Sequence, residues 1–97
     1  MTFDAFRESL GADTPPAGLS PALLALWQDG RGAWHEAHET VQDLDDDTGA
    51  WVHAYLHRKE GDVGNAHYWY RRAGRTPATG PLDTEWQAIA EALLTRR

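Results

Sequence analysis

The segment Thr48-Gly49-Ala50-Trp51-Val52-His53-Ala54-Tyr55-Leu56-His57-Arg58-Lys59-Glu60 reads as a helix with almost no polar face, because Trp51, Val52, Ala54, Tyr55 and Leu56 occupy most of its circumference. A helix of that kind belongs at the centre of a bundle. Gly61-Asp62 ends it, and the acidic run 43–47 precedes it, with Asp47 or Thr48 as the expected cap.

Working outward on the C-terminal side, residues 63–73 form a fifth helix with Val63, Ala66, Trp69, Tyr70 and Ala73 on one side. Residues 74–81 are a loop, and residues 82–95 form a last helix that aligns Trp86, Ile89, Ala90, Leu93 and Leu94 behind a cap near Asp83 or Thr84. On the N-terminal side a third helix spans 31–44. Before it, Ser20-Pro21 caps a second helix that presents Leu23, Leu24, Leu26 and Trp27 and stops at Asp29-Gly30. The connector 11–18, with Pro15-Pro16, follows a short amphipathic helix over 2–10 built on Phe3, Phe6 and Leu10.

Period-two alternation is missing and β-branched residues are scarce, so no strand is expected. The fold class is all-α: a compact single-domain bundle of five or six short antiparallel helices over 1–97, with 1–19 expected to be loosely docked.

Four of the five histidines lie on the third and fourth helices. On the third, Trp34, Ala37, Val41 and Leu44 define the buried stripe; His38 lies on its shoulder and is expected to be buried, with His35 partly exposed. On the fourth, His53 and His57 are one turn apart, and the small Ala50 and Ala54 would let a neighbouring helix approach. An antiparallel hairpin around Asp45-Asp46-Asp47 sets His38 level with His53 or His57. A cluster of His38, His53 and His57, with His35, Glu36 or Glu39 beside it, follows.

Such a cluster has three readings. Imidazoles and carboxylates from two helices can hold a divalent metal (zinc, nickel, iron or manganese), with His38, His53 and His57 as ligands. Neutral imidazoles can instead bond to one another, to Tyr55 or to helix-end carbonyls and fix helix register as a polar layer. Glu36 or Glu39 with His38 can act as a general acid–base pair in an enzyme. Familiar metal motifs are absent: His35-Glu36-Ala37-His38 is one residue short of H-E-x-x-H, which turns its histidines about 100° further apart. No histidine has a glutamate three residues before it, which excludes the di-iron bundle pattern.

Composition narrows the chemistry. With no cysteine, disulfides and thiolate sites are excluded. Residues 1–50 carry ten acids and two bases, residues 51–97 five acids and seven bases, for a net charge of −6. That balance argues against a nucleic-acid partner. Arg71, Arg72 and Arg75 after Tyr68-Trp69-Tyr70 read as cations at a helix C-terminus. The three rings cannot all face the core, so Tyr68, Trp69, Arg71 and Arg72 form the expected interaction surface for a protein partner, a small ligand or a second copy in a homodimer. His67 belongs at the surface. Five tryptophans fall one per helix from the second onward, each expected to anchor a helix contact, with histidines as candidate partners for their N–H groups. The N-terminus has no basic then apolar leader pattern, and the longest apolar run, 22–27, is short of a membrane span, so the expected setting is cytoplasmic.

Residues Leu26-Trp27-Gln28-Asp29-Gly30-Arg31-Gly32-Ala33-Trp34-His35-Glu36-Ala37-His38-Glu39 resemble the glycine turn and E-A-H-E helix of a bacterial domain-of-unknown-function family, number 309. The segment 57–66 is similar to its histidine and Gly-Asn-x-x-Gly-Ala turn but departs from it, with Asp62 for the asparagine and Asn65 for the second glycine. This resemblance implies a small all-α protein with Glu36 and His38 paired to the fourth helix, and it implies no reaction. Gly61, Ala66, Tyr70, Ala73 and Pro77 resemble the turn and second helix of one tetratricopeptide hairpin, although the first-helix tryptophan and glycine are missing at their places. A single unit cannot stack into a concave groove. The overall expectation is a binding or protein-interaction module with a His-rich helix junction; the alternative is a metal-binding protein or a metal-dependent or acid–base enzyme using Glu36, His38, His53 and His57.

Overall fold

A computed structural model describes residues 1–95. The described chain is all helical: α1 (Phe3–Glu8) with a 3-10 turn (Ser9–Gly11), α2 (Pro21–Gly30), α3 (Trp34–Val41), α4 (Asp47–Glu60), α5 (Val63–Ala73) and α6 (Leu82–Thr95). As its sequence requires, α4 is central. Every residue from Gly49 to His57 is buried, and α2, α3, α5 and α6 all pack against it.

Local chemistry sets the boundaries. Ser20 Oγ accepts from the Leu23 N–H and Pro21 opens α2, as the cap rules demand. At the other end, the Gly32 N–H bonds to Asp29 O and the Ala33 N–H to Gln28 O, a paired closure with Gly32 at φ 85°. That left-handed residue prevents α3 from starting at Arg31; the expected span 31–44 shrinks to Trp34–Val41. The cap of α4 is Asp46, not Asp47 or Thr48: its Oδ1 accepts from the Gly49 N–H at 2.7 Å and from Thr48 Oγ1 at 3.1 Å.

Close approach explains Gly49. A Cβ there would stand 2.6 Å from Leu44 Cβ, so the acidic turn must shift to admit any side chain. Gly49→Ala is expected to lose about 1–2 kcal/mol in urea unfolding despite alanine's better helix propensity. An unchanged or raised midpoint would show that the turn yields freely.

The N-terminal segment is anchored more firmly than expected. Phe6 is fully buried and stacks on Trp86 at 5.7 Å, while the Trp27 Nε1–H reaches Ser9 Oγ at 3.1 Å. Arg31 adds bonds to Leu10 O and Ala12 O, tying the turn to the end of α2. Val63 departs the other way: expected on the packed side of α5, it is the first residue of that helix and is 57% exposed.

Ion pairs to two buried carboxylates brace the C-terminal end of α4. Arg58 Nη1 donates to the buried Glu85 Oε1 at 2.9 Å, and the Tyr70 hydroxyl donates to Glu85 Oε2 at 2.5 Å. Burial and then Glu85 hold the Tyr70 phenol well above its ordinary range, so it stays a donor. Lys59 Nζ donates to the buried Asp29 Oδ1 at 2.9 Å. These two contacts occupy both cations near the C-terminal end of α4. No helix among the described residues is long and apolar enough to cross a membrane.

Candidate metal centre

Two i,i+4 pairs build the site. Helix α3 carries Trp34 and His38 one turn apart, α4 carries His53 and His57 one turn apart, and the antiparallel turn between them sets His38 against His53. Their Nε2 atoms are 3.1 Å apart. The His38 and His57 ring centroids are 5.2 Å apart, and those of His53 and His57 are 4.8 Å apart with the rings nearly parallel. One ligand nitrogen from each of the three lies within 4.8 Å of the other two.

Indole rings wall the cluster on two sides. Trp34 stacks on His38 at 5.2 Å and 11°, held there by its Nε1–H bond to Leu56 O at 2.9 Å. Trp69, from α5, stacks on His53 at 4.0 Å and 19°. The expectation that histidines accept the tryptophan N–H bonds is therefore corrected. Trp34 and Trp86 donate to the backbone carbonyls of Leu56 and Leu26, and Trp27 donates to Ser9, while the histidines meet indole faces instead. A helix carbonyl has a second lone pair to offer, and flat rings cover more apolar area by stacking.

Burial sets the protonation states. His53 is 4% exposed, and burial, then the neighbouring His57 and His38, push its pKa down to about 4. His38 is lowered by burial and then by His57, with Glu60 acting in the opposite direction. Both rings are neutral at pH 7, the form that donates a lone pair to a metal. In the close His38–His53 pair one Nε2 carries the proton and the other accepts it, while His53 Nδ1 is buried without a partner.

The other expected participants fall into two groups. His38 is half-buried, not buried, since α3 is short and lies at the edge of the bundle. His35, Glu36 and Glu39 are exposed on the outer side of α3, so the expected pairing of Glu36 with the fourth helix is not formed. The carboxylate that reaches the cluster is Glu60, whose Oε1 lies 2.6 Å from His57 Nδ1. It was legible as an i,i+3 pair on α4, but its neighbours Arg58 and Lys59 offered equally plausible partners in sequence.

The surface proposed around Tyr68 is partly consumed by this site. Tyr68 is 43% exposed and His67 is exposed, but Trp69 is half-buried over His53. Arg72 lies over the Trp69 ring at 5.4 Å and donates to the Tyr68 hydroxyl at 3.1 Å, whereas Arg71 is exposed. Arg75 covers Trp51.

Chemically, three imidazoles without thiolate suit a borderline divalent ion. Nitrogens bound at about 2.0–2.1 Å to a tetrahedral ion stand about 3.3 Å apart. The His38–His53 separation is close to that value, and the third imidazole lies within a side-chain adjustment of it. No family model, no curated protein and no solved structure matches the chain. The likeness to domain-of-unknown-function family 309 thus rests on the quoted residues alone.

Proposed function

We propose that this protein binds a divalent transition metal of the zinc or nickel class through His38, His53 and His57. The observation that carries the reading is the convergence of three imidazoles, two of them held neutral, with nitrogens within 4.8 Å of one another. Three protein ligands leave a fourth position for water or a small ligand, and the half-exposed edge at His38 is the side from which it would arrive. That arrangement suits a binding protein that presents a metal, and it supplies the Lewis acid a hydrolytic reaction would need.

One observation favours a second reading. At 3.1 Å, the His38 and His53 nitrogens are also within hydrogen-bond reach, so the triad can serve as a polar layer that selects one packing of α3 on α4.

Metal content per chain separates the two. Untagged protein purified without chelator or nickel resin, analysed by inductively coupled plasma mass spectrometry, is expected to carry close to one zinc, nickel, iron or manganese per chain. Trace amounts that stay unchanged after incubation with excess metal and desalting would sink the metal reading and leave the polar layer.

A further inference from the structure

The last residue of α4 is an anion in an unfavourable place. Glu60 stands at the C-terminal end of the helix, where the unsatisfied carbonyls already concentrate negative charge. The two cations before it are engaged elsewhere: Arg58 bonds to Glu85 and Gly80 O, and Lys59 bonds to Asp29. Asp62, the nearest other acid, is occupied as the cap of α5, accepting from the Asn65 N–H at 3.2 Å and from Asn65 Nδ2 at 3.3 Å. What Glu60 contacts is His57 Nδ1, at 2.6 Å, a charge-assisted distance.

That contact determines where the proton of His57 resides. An ionised carboxylate only accepts, so the proton is on Nδ1, and a neutral imidazole with its proton there carries a lone pair on Nε2. Nε2 is then the free donor of a ring whose centroid lies 5.2 Å from that of His38 and 4.8 Å from that of His53. His57 is thereby the one member of the triad whose donor atom is prepared without reference to the other two. The acid also brings negative charge to within one ring of the ligand set, which lowers the cost of placing a dication among three buried or half-buried rings.

We infer that Glu60 is a positioning residue of the histidine centre: its contact with His57 Nδ1 locks the tautomer that turns Nε2 toward the cation shared with His38 and His53. This rests on the metal reading above and adds the outer residue that makes the third ligand competent. Outer carboxylates that orient a ligating histidine are worth about 10–100-fold in metal affinity.

The test has two readouts on the full chain. Zinc affinity is measured by competition with a chromophoric chelator, and the tautomer of His57 by long-range proton–nitrogen-15 correlation of the metal-free protein. Glu60→Ala is expected to weaken zinc about 10–100-fold and to shift His57 toward the Nε2–H tautomer. Glu60→Gln keeps an oxygen acceptor but no charge, and is expected to hold the tautomer while losing part of the affinity. Asp62→Asn removes a charge within 4.8 Å of His57 and Glu60 whose carboxylate bonds to Asn65 and not to the His57 ring, and is expected to change affinity less than about twofold, against the 10–100-fold of an orienting carboxylate. Circular dichroism melts of each variant report the fold separately. A Glu60→Ala chain that binds zinc as tightly as wild type, or whose His57 keeps the Nδ1–H form, overturns this inference alone. A wild-type chain that binds no zinc overturns the metal reading itself, and this one with it.

Discussion

Zinc supplied at a hundredfold excess over its dissociation constant is expected to raise the melting temperature of the metal-free protein by about 10–20 °C, and a chelator is expected to reverse the rise. The size follows from linkage. A ligand that binds only the folded state at that excess stabilises it by about 2.7 kcal/mol. For a domain of this length each kcal/mol moves the midpoint by about 4–8 °C. Any affinity of the unfolded chain's histidines for zinc reduces the shift, so the figure is an upper range. His38→Ala is the informative variant because His38 is half-buried at the edge of the bundle, where truncation leaves the core intact. It is expected to melt a few degrees below wild type without metal, because His53 Nε2 loses its partner, and to show little response to zinc. A wild-type midpoint that ignores excess zinc would be incompatible with a site at His38, His53 and His57.

The second large effect is loss of stability in mild acid. The unfolded chain protonates His53 near its ordinary value of about 6.5, while burial and the adjoining His57 and His38 delay protonation of the folded form to about 4. Between those values the unfolded state binds more protons, so stability falls as pH falls. The contribution is fully present above pH 6.5, declines through the window, and is exhausted once both states are protonated below pH 4. A separation of that size corresponds to about 3 kcal/mol. His38, lowered by the same burial, adds in the same direction. Urea midpoints of metal-free protein at pH 7.5, 6 and 5 would follow the decline above the range where most carboxylates titrate. His53→Leu keeps an apolar side chain against Trp69 and is expected to flatten the profile. A wild-type midpoint constant from pH 7.5 to 5 would mean that His53 is not held neutral by the fold. The two effects are coupled, since zinc needs unprotonated rings and should restore stability most strongly above pH 6.

Much of this site is legible in the residues because helical spacing is rigid. His53 and His57 at i,i+4 must share a face, and a short acidic turn must return α3 alongside α4, so His38 is brought level with them by chain geometry alone. Spacing also sets His35, Glu36 or Glu39 beside the triad, and here periodicity has less to say. Position along a helix states which residues lie together, not which side a neighbour will cover. The α3 face that meets α4 is selected by Trp34, which fills the gap and donates to Leu56 O, leaving His35, Glu36 and Glu39 outside.

Glu60 and Trp69 show the same limit. Three charged residues end α4 in succession, and only the positions of α2 and α6 assign Lys59 to Asp29 and Arg58 to Glu85, freeing Glu60 for His57. Trp69 reads both as part of the packed side of α5 and as part of the surface around Tyr68, and only the docking of α5 on α4 lays it over His53. The sequence by itself determined the number and order of the helices, the Ser20-Pro21 opening of α2, the central place of α4 and the gathering of three histidines, since each depends on contacts within a few residues or on one short turn. It did not determine the caps of α4 and α6, which fall at Asp46 and before Leu82. Tertiary structure alone decided which charges pair, which rings stack and which carboxylate joins the site. Those choices are made between side chains distant in sequence, competing for the same partners once the helices are docked.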